Sequence, residues 1–409
     1  MSRRVRRGHV AGRAPSRDHP RLAAMRERTH GKGFATRAIH AGEGPDPVTH
    51  AHNTPIYATA TFAFDTAADK EAAVDRALEW DPTSYFYSRT GNPTNRALEE
   101  KVASLEGAED CVVSASGMAA VSATLFAHLE ADDHVVLGDE LFAITKVLWQ
   151  EDLPRRRISV TAVDMSDLAA VEAAITHRTK MVFLETSTNP RLRMPDLDAI
   201  AELAHRRGLL VVADNTFLGP ALFRPLEHGA DLVLHAATKY LSGHGDAVSG
   251  VVSGPKRLLD PIRKQVDTFG QAASPFSSFL VLRGIRTQPL RSAAGSANAA
   301  ALATFLEGHP KVDWVRYPGL ASHPDHDVAS RLLGERYGAM LTFQPRGGTA
   351  GMAAFTDHLA LCDIAVSLGD VYTLVYPRPK DGGIVRVSVG CEDLDDLVED
   401  FERGLSFVA

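Results

Sequence analysis

Lys239 stands just beyond a short apolar run, Asp231–His235, in the segment His235-Ala236-Ala237-Thr238-Lys239-Tyr240. A lysine set in a partly apolar wall holds its charge less firmly, and its free amine is a nucleophile toward a carbonyl. Two more polar residues follow apolar runs: Asp214 after Leu209–Ala213, and Asn189 after Lys180–Glu185. The segment Ser114-Ala115-Ser116-Gly117-Met118 follows another run and opens a helix. Backbone N–H groups at Ser116, Gly117 and Met118 then face an anion, and Gly117 has no side chain to keep the backbone away from it. Taken singly, each feature has a plainer reading: a strand-to-helix turn, a helix cap, a surface lysine. Taken in order, they offer one ligand an amine, a carboxylate and an anion cradle.

Elements able to bring these residues together are visible in the apolar patterning. Between Gly107 and Gly254, short β-branched runs alternate with helix-like stretches: Cys111–Ser114, His134–Leu137, Ile158–Val163, Lys180–Glu185, Leu209–Ala213, Asp231–His235 and Val248–Ser253. Most are continuous rather than alternating, as expected of strands covered on both faces. Leu197, Ile200, Ala201 and Ala204 recur at helical spacing after Pro195, and Gly208 ends that helix. The pattern predicts an α/β layer with a mostly parallel sheet, whose ligands bind where the loops converge beyond the strand ends. Residues 34–91, punctuated by Pro55 and Pro82, read as an extended arm, 92–290 as the α/β domain, and 291–409 as a smaller α+β domain.

The 409 residues are 44% hydrophobic and 23% charged, with a formal net charge of -7, which speaks against a nucleic-acid binder. The longer apolar runs are too short to span a bilayer. Three scattered cysteines, Cys111, Cys362 and Cys391, rule out a disulfide framework, make a structural metal site improbable and suit a reducing, cytoplasmic setting. Residues 1–33 are arginine-rich with few large apolar side chains, and read as a disordered basic arm.

Pyridoxal 5′-phosphate is the ligand these features match. Its phosphate suits the helix N-terminus, its pyridine nitrogen needs a carboxylate such as Asp214 to stay protonated, and its aldehyde takes a lysine as a Schiff base. The motifs also resemble those of the Cys/Met-metabolism group of pyridoxal-phosphate enzymes of fold type I, which holds cystathionine γ-synthase, cystathionine γ-lyase and methionine γ-lyase. The likeness starts at Thr36-Arg37-Ala38-Ile39-His40-Ala41-Gly42 and Tyr87-Ser88-Arg89-Thr90-Gly91-Asn92-Pro93-Thr94. It continues through Ser116-Gly117-Met118, Glu185-Thr186-Ser187-Thr188-Asn189-Pro190 and Ala213-Asp214-Asn215-Thr216-Phe217. It ends with Ala237-Thr238-Lys239-Tyr240, Arg283-Gly284 and Arg386-Val387-Ser388-Val389-Gly390.

This resemblance implies a seven-stranded, mostly parallel sheet domain with a smaller C-terminal domain, and a role for each matching residue. Lys239 holds the cofactor and later moves the α- and β-protons, Asp214 pairs with the pyridine nitrogen, and Ser116, Gly117, Met118 and Thr238 surround the phosphate. Tyr87 and Arg89 reach that phosphate from a neighbouring subunit, in a tetramer built from two dimers. Arg386 clamps the substrate α-carboxylate with Asn189 beside it, and Ser367, Tyr57 and Tyr372 complete the substrate contacts. The implied reaction on an L-amino acid is loss of a γ-substituent through quinonoid and vinylglycine-type intermediates, or its replacement by a nucleophile. A non-catalytic pyridoxal-phosphate-binding protein is the alternative of another class.

The departures bear on the substrate. Relatives stack a tyrosine on the cofactor ring, whereas the matching segment here is Phe142-Ala143-Ile144-Thr145. Phe142 keeps the stacking surface and lacks the hydroxyl that protonates a leaving group. Either another tyrosine (Tyr57, Tyr87 or Tyr376) supplies that proton, or the group departs as a stable anion. Ala236 replaces a phosphate-binding serine, and Tyr372 replaces a glutamate that suits cystathionine. The link Arg378–Gly383 is short, and His235 reads as a core or capping residue.

Overall fold

The computed structural model describes residues 27–46 and 48–409, so most of the expected basic arm lies outside the described residues. Seven strands form the main sheet: β1 (Asp110–Ser114), β2 (His134–Gly138), β3 (Ser159–Val163), β4 (Thr179–Glu185), β5 (Leu210–Asp214), β6 (Leu232–His235) and β7 (Gly250–Gly254). Their order is β1-β7-β6-β5-β4-β2-β3. β7 runs antiparallel to both neighbours, and all other pairs are parallel. Each strand matches an apolar run in the sequence to within two residues.

Continuous runs form because both faces are covered. Leu137, Phe183, Val212 and Leu234 pack into one buried cluster, while Val136, Val182, Val211 and Val233 pack into another. Burying each such side chain contributes about 1.5–3 kcal/mol, so the alternate faces of these strands are equally committed. The helix Leu197–Arg206 lies on the second face, capped at its N-terminus by Asp196, whose side chain accepts the Ala199 N–H. Leu197, Ile200, Ala201 and Ala204 are its buried residues, as their spacing predicts.

A second sheet of five strands holds β8 (Val312–Arg316), β9 (Met340–Pro345), β10 (Asp363–Ile364), β11 (Leu374–Arg378) and β12 (Ile384–Ser388), in the order β10-β11-β12-β9-β8. The helix Gln288–Gly308 leads into it and buries Ala299, Leu302, Ala303 and Leu306 against it.

The 34–91 segment corrects one expectation. It is not extended throughout: Phe34–His40 and Ala67–Leu78 are helices. The second is capped by Thr66, whose side chain accepts the Asp69 N–H, but only Ala73 and Ala77 are buried. So narrow a buried stripe leaves little periodic signal to read.

Candidate active site

The carboxyl ends of β4, β5 and β6 deliver the polar residues to one place. A cavity of about 220 Å³ is lined by Ser116, Gly117, Met118, Phe142, Glu185, Asn189, Asp214, Thr216, Thr238, Lys239, Ser367 and Arg386, among others. Ten of the fourteen predicted site residues meet there, and the remaining four are accounted for below.

One wall is the N-terminus of the helix Gly117–His128. Ser116 caps it by accepting the Ala119 N–H at 3.1 Å, so the N–H groups of Gly117 and Met118 are left for an anion. A Cβ added to Gly117 would stand 2.7 Å from the Cβ of Ala236, so only glycine lets this turn press against the segment that leads to Lys239. Thr238 completes the cradle with its hydroxyl tied to Ser249, accepting the Ser249 N–H at 3.1 Å.

Opposite this wall, Asp214 closes β5. Its Oδ1 accepts the N–H of Thr216 at 2.9 Å and also the Thr216 hydroxyl, which in turn accepts the Ala236 N–H at 2.9 Å. Burial pushes the Asp214 carboxyl up, against the pull of Thr216, and it has no ion-pair partner among the described residues. A buried carboxylate of this kind is a receptor for a cationic ring nitrogen.

Between the walls, Nζ of Lys239 donates to Oγ of Ser367 at 2.6 Å. Burial, and then the nearby Arg386, push the Lys239 pKa down. Arg386 donates from Nη2 to the Ser367 carbonyl at 2.7 Å and from Nη1 to Oδ1 of Asn189 at 3.2 Å. Its Nε is buried without a partner, and burial followed by Arg378 pushes its pKa down to about 10. A guanidinium so placed lacks an anion, which an α-carboxylate supplies. Ser367 has φ 101°, a conformation that non-glycine residues adopt only under local strain, and that backbone turns its hydroxyl to Lys239 and its carbonyl to Arg386.

Four predicted residues lie elsewhere in the chain. Tyr57 donates its hydroxyl to Asp46 at 3.0 Å and does not line the cavity. Arg89 pairs with Asp267 at 2.8 Å and lies over the ring of Tyr87, again away from Lys239. Tyr372 is 61% exposed and does not line this cavity. His235 is the expected core residue: it is buried against Glu106, with Nε2 2.5 Å from Oε1. Glu185 and Thr216 line the site although sequence reasoning gave them no role. The Asp-x-Thr spacing was the available sign for Thr216, because a threonine two residues after an aspartate can donate back to it.

An outer cavity of about 1210 Å³ shares Phe142, Asn189, Lys239, Ser367 and Arg386 with the inner one. Lys146, Arg191, Arg378 and Lys380 join Lys239 and Arg386 in its lining, against only Asp139, Glu140 and Asp381. The guanidiniums of Arg378 and Arg386 both lie over the ring of Tyr376, at 5.5 and 5.0 Å from its centroid.

An anion cradle at a helix N-terminus, a carboxylate awaiting a cation and a lysine of lowered pKa, set at the strand ends of this sheet, define a pyridoxal-phosphate enzyme of fold type I. Residues 35–406 match the family described as Cys/Met metabolism PLP-dependent enzyme. The chain is 40% identical over 395 residues to an L-methionine gamma-lyase of Fusobacterium nucleatum subsp. polymorphum, covering 91% of this chain and 98% of that one. It is likewise 40% identical over 389 residues to a cystathionine gamma-synthase of Mycobacterium bovis, covering 91% and 97%. The crystal structure of cystathionine gamma-lyase from Lactobacillus plantarum complexed with L-serine superposes with a TM-score of 0.85 at 36% identity, over 92% of this chain and 99% of that one. The chain therefore belongs to the Cys/Met metabolism family of pyridoxal-phosphate-dependent enzymes.

Proposed function

We propose that this enzyme eliminates a γ-substituent from an L-amino acid, and that the substituent leaves as a stable anion. The observation that carries the second half is the pairing of Phe142, which has no proton to give, with an outer cavity whose lining holds, besides Lys239 and Arg386, four basic side chains against three acidic ones. An anion departing into that cavity is drawn by its excess positive charge, whereas a thiolate needs a proton that Phe142 lacks.

Pyridoxal phosphate supplies an electron sink for the bond-breaking steps. This chain's residues do the rest. Ser116, Gly117, Met118 and Thr238 hold the phosphate, and Asp214 keeps the pyridine nitrogen protonated. Arg386, with Asn189 beside it, grips the α-carboxylate and so fixes which side of the substrate faces Lys239. The neutral amine of Lys239 then takes the α-proton and, from the same face, a β-proton, with Ser367 steadying Nζ between transfers. Phe142 stacks over the ring as an apolar cover.

Tyr87 and Arg89 belong to the phosphate cradle of a neighbouring subunit, so a complete site needs a homo-oligomer. Their supporting sign is that Arg89 is exposed, anchored by Asp267 and turned away from its own chain's cavity. No helix among the described residues is long and apolar enough to cross a membrane. γ-Replacement is the second reading, favoured by the size of the outer cavity, which has room for a nucleophile after the substituent has gone. The deciding experiment incubates the holoenzyme with homoserine esters and with methionine, with and without an added thiol. Keto acid and ammonia from the ester without thiol support elimination. A thioether formed only with thiol supports replacement, and no product from either substrate sinks both.

A further inference from the structure

Two carboxyl groups, not one, lie under the cofactor cavity. Glu185 ends β4 and Asp214 ends β5, and the register pairs them directly. Both line the cavity, but their surroundings differ. Asp214 receives two hydrogen bonds from Thr216. Glu185 is 7% exposed and receives one, from the N–H of Phe142 to Oε1 at 2.6 Å. Its Oε2 is buried with no hydrogen-bond partner, and no cation pairs with it among the described residues. The charged groups facing it are Asp214 from β5, with Glu140 and Lys146 from the segment around the helix Ala143–Val147.

Two neighbouring carboxylates in a site of low dielectric repel strongly, so one of them takes a proton. Asp214 has the better donors and a cationic nitrogen to face, and therefore keeps the charge. Glu185 has a single neutral donor and an idle oxygen, which is the arrangement of a carbonyl oxygen accepting a bond and a hydroxyl awaiting an acceptor. Burial, followed by Asp214, pushes its pKa far above the usual carboxylate range, in agreement with that geometry.

We propose that Glu185 is a positioning residue that works as a neutral carboxylic acid: its carbonyl oxygen holds the Phe142 backbone, and hence the aromatic ring, over the cofactor, while its protonation leaves Asp214 as the one negative charge beneath it. The inference rests on the reading of this cavity as the pyridoxal-phosphate site. It gives Phe142 a fixed position at the start of the short helix Ala143–Val147, where the residue has no side-chain cap to hold it.

Glu185→Gln copies a neutral acid, and Glu185→Ala removes the hydrogen-bond acceptor. The measurements are the cofactor dissociation constant and the visible circular dichroism of the bound cofactor across the neutral pH range. Glu185→Gln is expected to bind within about twofold of the parent with the same dichroism. Glu185→Ala is expected to bind roughly 2- to 10-fold more weakly, the value of one hydrogen bond, with a diminished dichroic band. Both effects should vanish in a Phe142→Ala background, because the glutamate acts through that ring. The proposal is overturned if Glu185→Gln is as impaired as Glu185→Ala, if Glu185→Ala matches the parent, or if the two substitutions add independently. A parent protein that forms no visible band with pyridoxal phosphate would instead defeat the cofactor reading itself.

Discussion

Lys239 and Ser367, separated by 128 positions in the chain, meet through a 2.6 Å hydrogen bond from Nζ to Oγ. The same serine offers its carbonyl to Arg386, so one strained residue joins the amine proposed to move protons to the guanidinium proposed to orient the substrate. Ser367→Ala should lower kcat by about tenfold or more, since hydrogen bonds to charged groups are worth about 1.5–3 kcal/mol. KM should change little. Steady-state kinetics on a homoserine ester check this, and a fall confined to KM would contradict the assignment.

Arg386→Lys retains charge and loses the planar fork that meets a carboxylate. KM for the amino acid should rise about 10- to 100-fold, the cost of one or two charge-assisted bonds. Cofactor affinity should be unaltered, because Arg386 contacts neither the phosphate cradle nor Asp214.

The pH dependence of cofactor capture follows from Lys239. Its pKa is pushed below the usual 10.5, by burial first and by Arg386 second. The amine that attacks the aldehyde is the deprotonated form, so the rate at which apoprotein takes up pyridoxal phosphate should rise with pH through a midpoint below that value. Removing a neighbouring positive charge favours protonated Lys239, so Arg386→Leu should move the midpoint upward. In the apoprotein the same shift means that the unfolded chain holds more protons than the folded one between the two pKa values. Stability from this group therefore grows as pH rises through that window. Stopped-flow absorbance over a pH series reads the midpoint directly.

Phe142→Tyr restores a hydroxyl over the ring. General acid catalysis is worth about a hundredfold or more, so turnover of methionine should increase by up to about that factor. Turnover of a homoserine ester should stay within about threefold, since its carboxylate leaves without a proton. Equal gains on both substrates would remove the argument for an anionic leaving group.

Arg89 and Lys239 test the shared site. Mixing an inactive Lys239→Ala chain with an Arg89→Ala chain, under conditions that exchange subunits, should restore activity, because hybrid oligomers contain one intact combination. No recovery, in mixtures shown by mass spectrometry to contain hybrids, would place Arg89 outside the active site.

Much of this architecture was legible because the chemistry sits at the ends of strands buried on both faces. Continuous apolar runs located β2, β4, β5 and β6, and the polar residues following them located Asn189, Asp214 and Lys239. What stayed hidden has physical reasons. The Ala67–Leu78 helix buries two alanines and so shows no apolar stripe. Tyr372, singled out by its position in the sequence, is exposed and lies outside the cavity that holds Lys239. Glu185 was visible as a strand end, but its importance depends on lying beside Asp214, and register is a property of the sheet that no single run reveals.

The hairpin between β11 and β12 separates two kinds of change. Tyr376 pairs with Arg386 across it, and Arg386 pairs on its other side with Thr342 of β9. A one-residue slip of β12 would turn Arg386 to the opposite face, yet β9 holds that register whatever the hairpin tip contains. The tip, at Pro379–Asp381 and two glycines of positive φ, borders the outer cavity and can lengthen or shorten freely. Insertion or deletion at this entrance would thus reshape the outer cavity while leaving Arg386 where β9 fixes it.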